Sequence, residues 1–441
     1  MEKRNQAAKL IIGAVIAIIA ILFIGGVVFG KPLMYHLQNR DKIGPLTRSD
    51  INYVTVDAPQ ASSNDGTINA SDWESVGGMY REIAVTMGQN ADNTYIIDYL
   101  DQDPYLVNIY EGFGFATEYG SARGHEYTLA DVQSTQRPHP LANCLTCKTP
   151  NFAKLVNDQG VGVYKMPFAD AMALMEENVS CYSCHGNSAG NKGQLEITHS
   201  YVVKALDASA IESIGLSTLS CGQCHIEYYF TTSDKETMMP YHDVASMHPD
   251  AILAYYNEMD YADFTQENST GARMLKAQHP EMETFLLGKH AKEGMNCADC
   301  HMPMEQSEDG TIYHSHLLVS PLDNETLLSN CLQCHRDLNG FETGAEMIEF
   351  VHRLQARVTD RETEVGNELS AFKDALTEAV ASGKMSEDEL NAVRKVYRNA
   401  QWYFDFCYVE NAEGAHNSEL AFYCLDTSEQ LIIEGMALLG K

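Results

Sequence analysis

A C-x-x-C pair followed at once by a residue able to ligate a metal occurs five times in the 441-residue chain. The stretches are CLTCK (144–148), CYSCH (181–185), CGQCH (221–225), CADCH (297–301) and CLQCH (331–335). They take ten of the twelve cysteines. A disulfide framework has no reason to repeat one short spacing with histidine or lysine always next. Zinc ribbons pair C-x-x-C units without that adjacent residue, and a thioredoxin-like dithiol occurs once. Covalent haem c remains: two thiols add to the two vinyl groups and the next residue reaches the iron. Five haems fill much of an interior, so short helices and irregular segments are expected around them, in a mainly α fold. Cys407 and Cys424 stand outside the motifs, as a disulfide or as two buried thiols.

The rest of the chain supplies context. Residues 10–30, LIIGAVIAIIAILFIGGVVFG, carry no charge, and about 20 such residues cross a hydrocarbon core about 30 Å thick. Lys3, Arg4 and Lys9 favour a cytoplasmic tail over residues 1–9 and export of the chain beyond the apolar run. The length of that run and the lack of a small-residue cleavage site favour a retained transmembrane anchor over a cleaved signal. Either way the body lies outside the cytoplasm. Residues 31–70, with APQASSNDGTINAS, read as a linker. The body covers 71–441: haem-binding over 71–340, long helices over 341–441. There Met347, Ile348, Phe350, Val351 and Leu354, then Leu369, Phe372, Leu376 and Val380, recur at helical spacing. Ser386 is placed to cap a new helix after the break at SGKM. These helices bury a face in their own domain or at a dimer interface. The net charge of −31 excludes a nucleic-acid partner, which would be repelled.

Each haem iron has two axial positions. His185, His225, His301 and His335 end four motifs, and twelve further histidines are ample for the opposite faces. An iron saturated by two histidines transfers electrons and binds no substrate. Lys148 is different, because its amine must lose a proton held with an ordinary pKa of about 10.4 before it can ligate. The plain reading is a drifted motif. The functional one is a substrate-binding haem with an open face, fed by four saturated relay haems.

In motif set, order and spacing, residues 71–441 resemble the ammonia-forming cytochrome c nitrite reductases, here in a membrane-anchored form. The resemblance implies a pentahaem enzyme that reduces nitrite to ammonium with six electrons, the catalytic haem being the one on Cys144, Cys147 and Lys148. The other haems would be held by Cys181, Cys184 and His185; Cys221, Cys224 and His225; Cys297, Cys300 and His301; and Cys331, Cys334 and His335. In ARGHEYTLADVQSTQR the implied distal ligand His125 is followed twelve residues on by the implied catalytic Arg137. CGQCHIEYYF supplies Glu227 and the catalytic Tyr228, and KAQHPEMET the catalytic His279. One Ca²⁺ would be held by Glu227, the carbonyls of Tyr228 and Lys276, and Gln278. His125 would serve the third-motif haem, His316 the second, His290 the fifth and His416 the fourth. Nitrite would bind the open face, with Arg137 and protonated His279 donating to its oxygens and His279, titrating near neutrality, delivering protons. The resemblance also implies a homodimer and a membrane quinol-oxidising multihaem cytochrome as electron donor. The segment RPHPLANC is short, and His139 stands in it. The rival reading is a non-catalytic multihaem electron conduit; the same scaffold acting on hydroxylamine or sulfite is another.

Overall fold

The structure is a computed structural model that describes residues 96–441 apart from 123, 177, 187–193, 307–309, 311, 317 and 319. The anchor expected at 10–30 and the linker at 31–70 lie outside the described residues. Among the described residues no helix is long and apolar enough to cross a membrane.

The chain is mainly helical, and its longest elements are at the C-terminal end. Helix α1 (Glu325–Asn339) carries the fifth motif; Asn324 caps its start and Gly340, with φ of 74°, ends it in the left-handed region. Helix α2 (Gly344–Ser382) begins at a capping box of Thr343 and Glu346 and stops at Gly383. Ser386 caps α3 (Glu387–Tyr408), with Glu389 completing the box. A last helix, α4 (Ser418–Leu438), packs against both α2 and α3.

Leu369, Phe372 and Leu376 of α2 are fully buried, together with Tyr397, Trp402 and Phe404 of α3 and Leu425 of α4. Each such apolar side chain contributes about 1.5–3 kcal/mol by leaving water. Close approach is needed at one point: a Cβ on Gly435 would lie 2.0 Å from Cζ of Phe372, so α4 meets α2 only through a glycine. The first stripe of α2 is less enclosed. Met347 is buried, whereas Ile348, Phe350, Val351 and Leu354 are half-buried.

The haem-binding part is built of short pieces. Cys297–His301 is a single short helix whose start is capped by Asn296, which accepts from the Ala298 amide at 2.9 Å. Cys181–His185 is a similar helix. CLTCK lies in and after the 3₁₀ turn Ala142–Leu145, and CGQCH follows the short helix Leu216–Leu219. Three two-stranded antiparallel ribbons, Tyr229–Phe230 with Thr237–Met238, Phe264–Thr265 with Arg273–Met274 and Met304–Gln306 with Ile312–His314, are the β-structure of the described residues. The first two lead out of Tyr228 and into Lys276.

Candidate active site

The segments around Tyr228 and His279 are laced together. The His279 amide donates to the Ile226 carbonyl at 3.2 Å and the Met282 amide to the His225 carbonyl at 3.1 Å. The Glu227 amide donates to Glu283 at 2.8 Å, and the Gln278 amide to Glu227 at 2.6 Å. Lys148 is held by its carbonyl, which accepts from the Thr128 hydroxyl at 2.7 Å. Arg137 lays its guanidinium over Phe115, with Cζ 3.9 Å from the ring centre.

These residues share one field. Burial first, then the neighbouring basic groups Lys148, His225, Lys276 and Arg137, push the His279 imidazole well below its ordinary pKa. The His279 expected to titrate near neutrality is therefore neutral in this arrangement, chiefly because it is buried. Burial, then the fields of Cys147, Cys144 and Glu227, push the Tyr228 phenol well above its ordinary value, with Arg137 opposing. Tyr228 is thus a protonated hydrogen-bond donor beside the first motif. The His279 side chain is 49% exposed and that of His225 47%, yet packed protein surrounds both, so these surfaces face an interior space.

Four imidazole pairs run through the body. Ring centres are 6.3 Å apart for His185 and His316, 6.2 Å for His125 and His225, 6.3 Å for His301 and His416, and 6.1 Å for His290 and His335. A metal held between two imidazole nitrogens at about 2 Å each, with each nitrogen about 1.1 Å from its ring centre, needs about 6.2 Å. Each pair joins one motif histidine to one from elsewhere. Second-shell acceptors fix several rings. Nδ1–H of His185 donates to the Gln194 carbonyl at 2.8 Å, that of His335 to Asn339 at 2.7 Å, and that of His416 to buried Glu410 at 2.6 Å. Such bonds leave Nε2 free to ligate. Burial and then Lys148 push His125 down to about 4, and burial and then His185 push His316 down to about 4, which keeps both rings neutral as a metal requires. Burial also lowers His416, but Glu410 outweighs it and the net shift is upward. The residues present fit haem iron at these four places.

The thiols give the motifs an order. Cys147 lies beside Cys224, and Cys221 beside Cys297. Cys184 acts on Cys224, and Cys331 on Cys300. The neighbours therefore run first, third, fourth and fifth motif, with the second beside the third. His199, buried, ties three of them. Its Nε2 meets the Thr146 carbonyl at 2.9 Å and its Nδ1 meets Gln223 at 3.2 Å, while Gln223 donates to the Ser183 carbonyl at 3.2 Å. Sequence reasoning assigns His199 no role, and nothing local marks it. His139 is exposed, with φ of 51°. Cys407 and Cys424 are buried free thiols, and Cys407 donates to Glu362 at 3.3 Å.

Glu227 is 1% exposed. Its carboxylate accepts from Tyr256 at 2.8 Å and from the Gln278 amide, and burial pushes its pKa well above the ordinary range, with Asp263 and Glu283 adding to the rise. The Gln278 side chain reaches the Lys276 carbonyl at 2.9 Å. Turning that terminal amide over brings its oxygen beside the carbonyl. Among the described residues no group of three or more His, Cys, Asp or Glu side chains is arranged to hold a metal. The donors here are instead one carboxylate, one amide and backbone carbonyls, a hard-oxygen set amid three buried carboxylates, and they fit Ca²⁺. The Lys276 side chain, to which sequence reasoning assigns no part, is buried against Asp405 at 3.1 Å and lies 5.0 Å from the Phe115 ring centre.

A family model described as cytochrome c552 matches residues 74–440. The cytochrome c nitrite reductase catalytic subunit of Desulfovibrio desulfuricans, a structure described with two calcium sites, has the same fold. It is 24% identical, with a TM-score of 0.73, over 85% of this chain and 87% of that one. An outer cell-wall cytochrome (17% identity, TM-score 0.40, 70% of this chain and 48% of that one) is too distant to carry any inference. The same holds for an undecahaem S-layer cytochrome of Carboxydothermus ferrireducens (16%, 0.36, 72% and 41%).

Proposed function

The chain belongs to the cytochrome c552 family, and on that premise we propose that it reduces nitrite to ammonium at a haem carried by Cys144, Cys147 and Lys148. The carrying observation is the convergence of Arg137, Tyr228 and His279 on Lys148, the one motif whose ligating residue has no imidazole opposite it among the described residues. Four further haems, ligated by the four histidine pairs, form the relay, for five in all. Glu227, the carbonyls of Tyr228 and Lys276, and Gln278 hold one Ca²⁺. The protein works outside the cytoplasm, anchored through residues 10–30, as a homodimer fed by a membrane quinol-oxidising multihaem cytochrome.

Haem held by Cys144, Cys147 and Lys148 would relay electrons and supply the Lewis-acidic iron that takes the substrate. The chain's own residues do the rest. Arg137 has one face on Phe115 and its Nε on the Glu118 carbonyl at 3.4 Å, so its terminal nitrogens are left to donate to the substrate oxygens. Burial is the chief cause that keeps His279 unprotonated, and the positive field of Arg137 beside it attracts an anion. Nitrite, on arrival, offsets that field, so His279 regains proton affinity when a proton is needed and donates it as an N–O bond breaks. Tyr228 donates its hydroxyl proton as a hydrogen bond to the same oxygens. Glu227 and Gln278, holding Ca²⁺, would fix the backbone on either side of Tyr228 and His279.

The test is an electron paramagnetic resonance titration of the oxidised holoprotein with nitrite. A high-spin signal that nitrite removes is the expected result. Five low-spin irons and no response to nitrite would instead establish the non-catalytic conduit.

A further inference from the structure

Arg137 sits at the end of a column of rings. Phe264 stacks on Phe113 at 5.0 Å and 24°, Phe113 on Phe115 at 5.4 Å and 14°, and the Arg137 guanidinium caps Phe115 at 3.9 Å. Tyr119 meets the edge of Phe115 at 4.7 Å and 89°. The column is rooted in the Phe264–Met274 ribbon, whose second strand runs on into Lys276 and His279. The seat is closed from the other side too. Glu118 accepts from the Thr135 hydroxyl and the Gln136 amide, both at 2.7 Å, immediately before Arg137. Gly114 leaves room for the arginine stem: a Cβ there would come within 3.3 Å of Cβ and Cγ of Arg137.

The arrangement avoids a carboxylate. Among the described residues Arg137 has no ion pair, and its terminal nitrogens have no protein acceptor. An aromatic face attracts a cation through its quadrupole by about 0.5–2 kcal/mol without neutralising it. A carboxylate in the same place would fix the guanidinium equally well but would compete with an anionic ligand.

We propose that Phe115 is the residue that sets the plane of the Arg137 guanidinium while leaving its charge free, and that it thereby makes the site favour an anionic substrate over a neutral one. This rests on the reading of Arg137 as the group that binds nitrite. Phe115 acts through Arg137, so it is a positioning residue. Hydroxylamine, neutral near pH 7, calls on the same haem without needing an anion seat.

The full-length holoprotein and its Phe115→Leu and Phe115→Tyr variants are compared in steady state with nitrite and with hydroxylamine. Nitrite affinity is measured separately by optical titration of the oxidised forms. Phe115→Leu is expected to raise the KM and dissociation constant for nitrite about 10-fold, with kcat and the hydroxylamine KM changed less than about 2-fold; Phe115→Tyr restores the parental values. Unchanged nitrite binding in Phe115→Leu, or an equal loss for both substrates that tyrosine does not restore, overturns the positioning role alone. A parental protein that turns over neither substrate overturns the nitrite reading itself and this inference with it.

Discussion

Glu362 offers a test of how the long helices carry buried charge. It lies on α2, 6% exposed, and the thiol of Cys407 on α3 donates to it at 3.3 Å. Burial is the main cause of a pKa raised from 4.5 to about 8; the thiol pulls it back, while Glu413, Glu410 and Asp103 add to the rise. The folded protein therefore holds a proton that the unfolded chain releases above 4.5. Because the unfolded state binds fewer protons in this window, stability falls as pH rises from about 4.5 to about 8. At about 1.4 kcal/mol per unit, the ceiling of the loss is about 5 kcal/mol over the whole window and about 3 kcal/mol at pH 7. Glu362→Gln keeps the shape and the acceptor of the protonated acid and cannot ionise. The melting midpoint of this variant, relative to parental protein, is predicted to climb between pH 5 and pH 8 by at most about 7 °C, taking about 2 °C per kcal/mol for a chain of this size. Thermal melts followed by circular dichroism at half-unit pH steps measure it. Parallel curves would refute the reasoning, since they would mean that Glu362 ionises in the folded state at no cost.

Other perturbations bear on the site and the fold. His279→Ala lowers kcat for nitrite by about 10²-fold or more with the haem content of the parental protein retained, the usual size of a lost proton donor, as stopped-flow turnover and pyridine haemochrome counts would show. Glu410→Gln weakens a charge-assisted bond to His416 and raises the midpoint potential of one haem by about 60 mV for each 1.4 kcal/mol lost, seen by spectropotentiometry. Calcium chelation lowers the melting midpoint and slows turnover, and Ca²⁺ restores both, because Glu227 then lacks its cation. Gly435→Ala costs about 1–3 kcal/mol by overpacking Phe372, measurable in the same melts.

The parts of the fold legible in the sequence have a local signature. Five copies of one five-residue spacing point to covalent haem before any tertiary contact is known. The cap at Ser386 likewise announces α3, and the recurring apolar positions announce α2. Helix α4 escapes a reading by periodicity, because its buried stripe includes Ser428 and Gly435 while apolar Ile433 and Leu438 face outward. Arg137, Tyr228 and His279 become legible only through resemblance, since a lone Arg, Tyr or His carries no signal. Phe115 and His199 stay hidden because each acts through a neighbour well away in the chain, and Glu410 because nothing local marks its pairing with His416. The state of His279 departs from expectation for a related reason: its ordinary pKa is a property of the residue, and its neutrality here is a property first of its burial and then of the groups packed around it.

The central claim concerns a reaction, and product analysis meets it most directly. The holoprotein is supplied anaerobically with reduced viologen, and nitrite loss, ammonium gain and viologen oxidation are tracked together. The account predicts one ammonium for each nitrite and six electrons consumed, with no nitric oxide or hydroxylamine released. Nitrite left unconsumed, or sulfite reduced to sulfide at a higher rate than nitrite to ammonium, would contradict it.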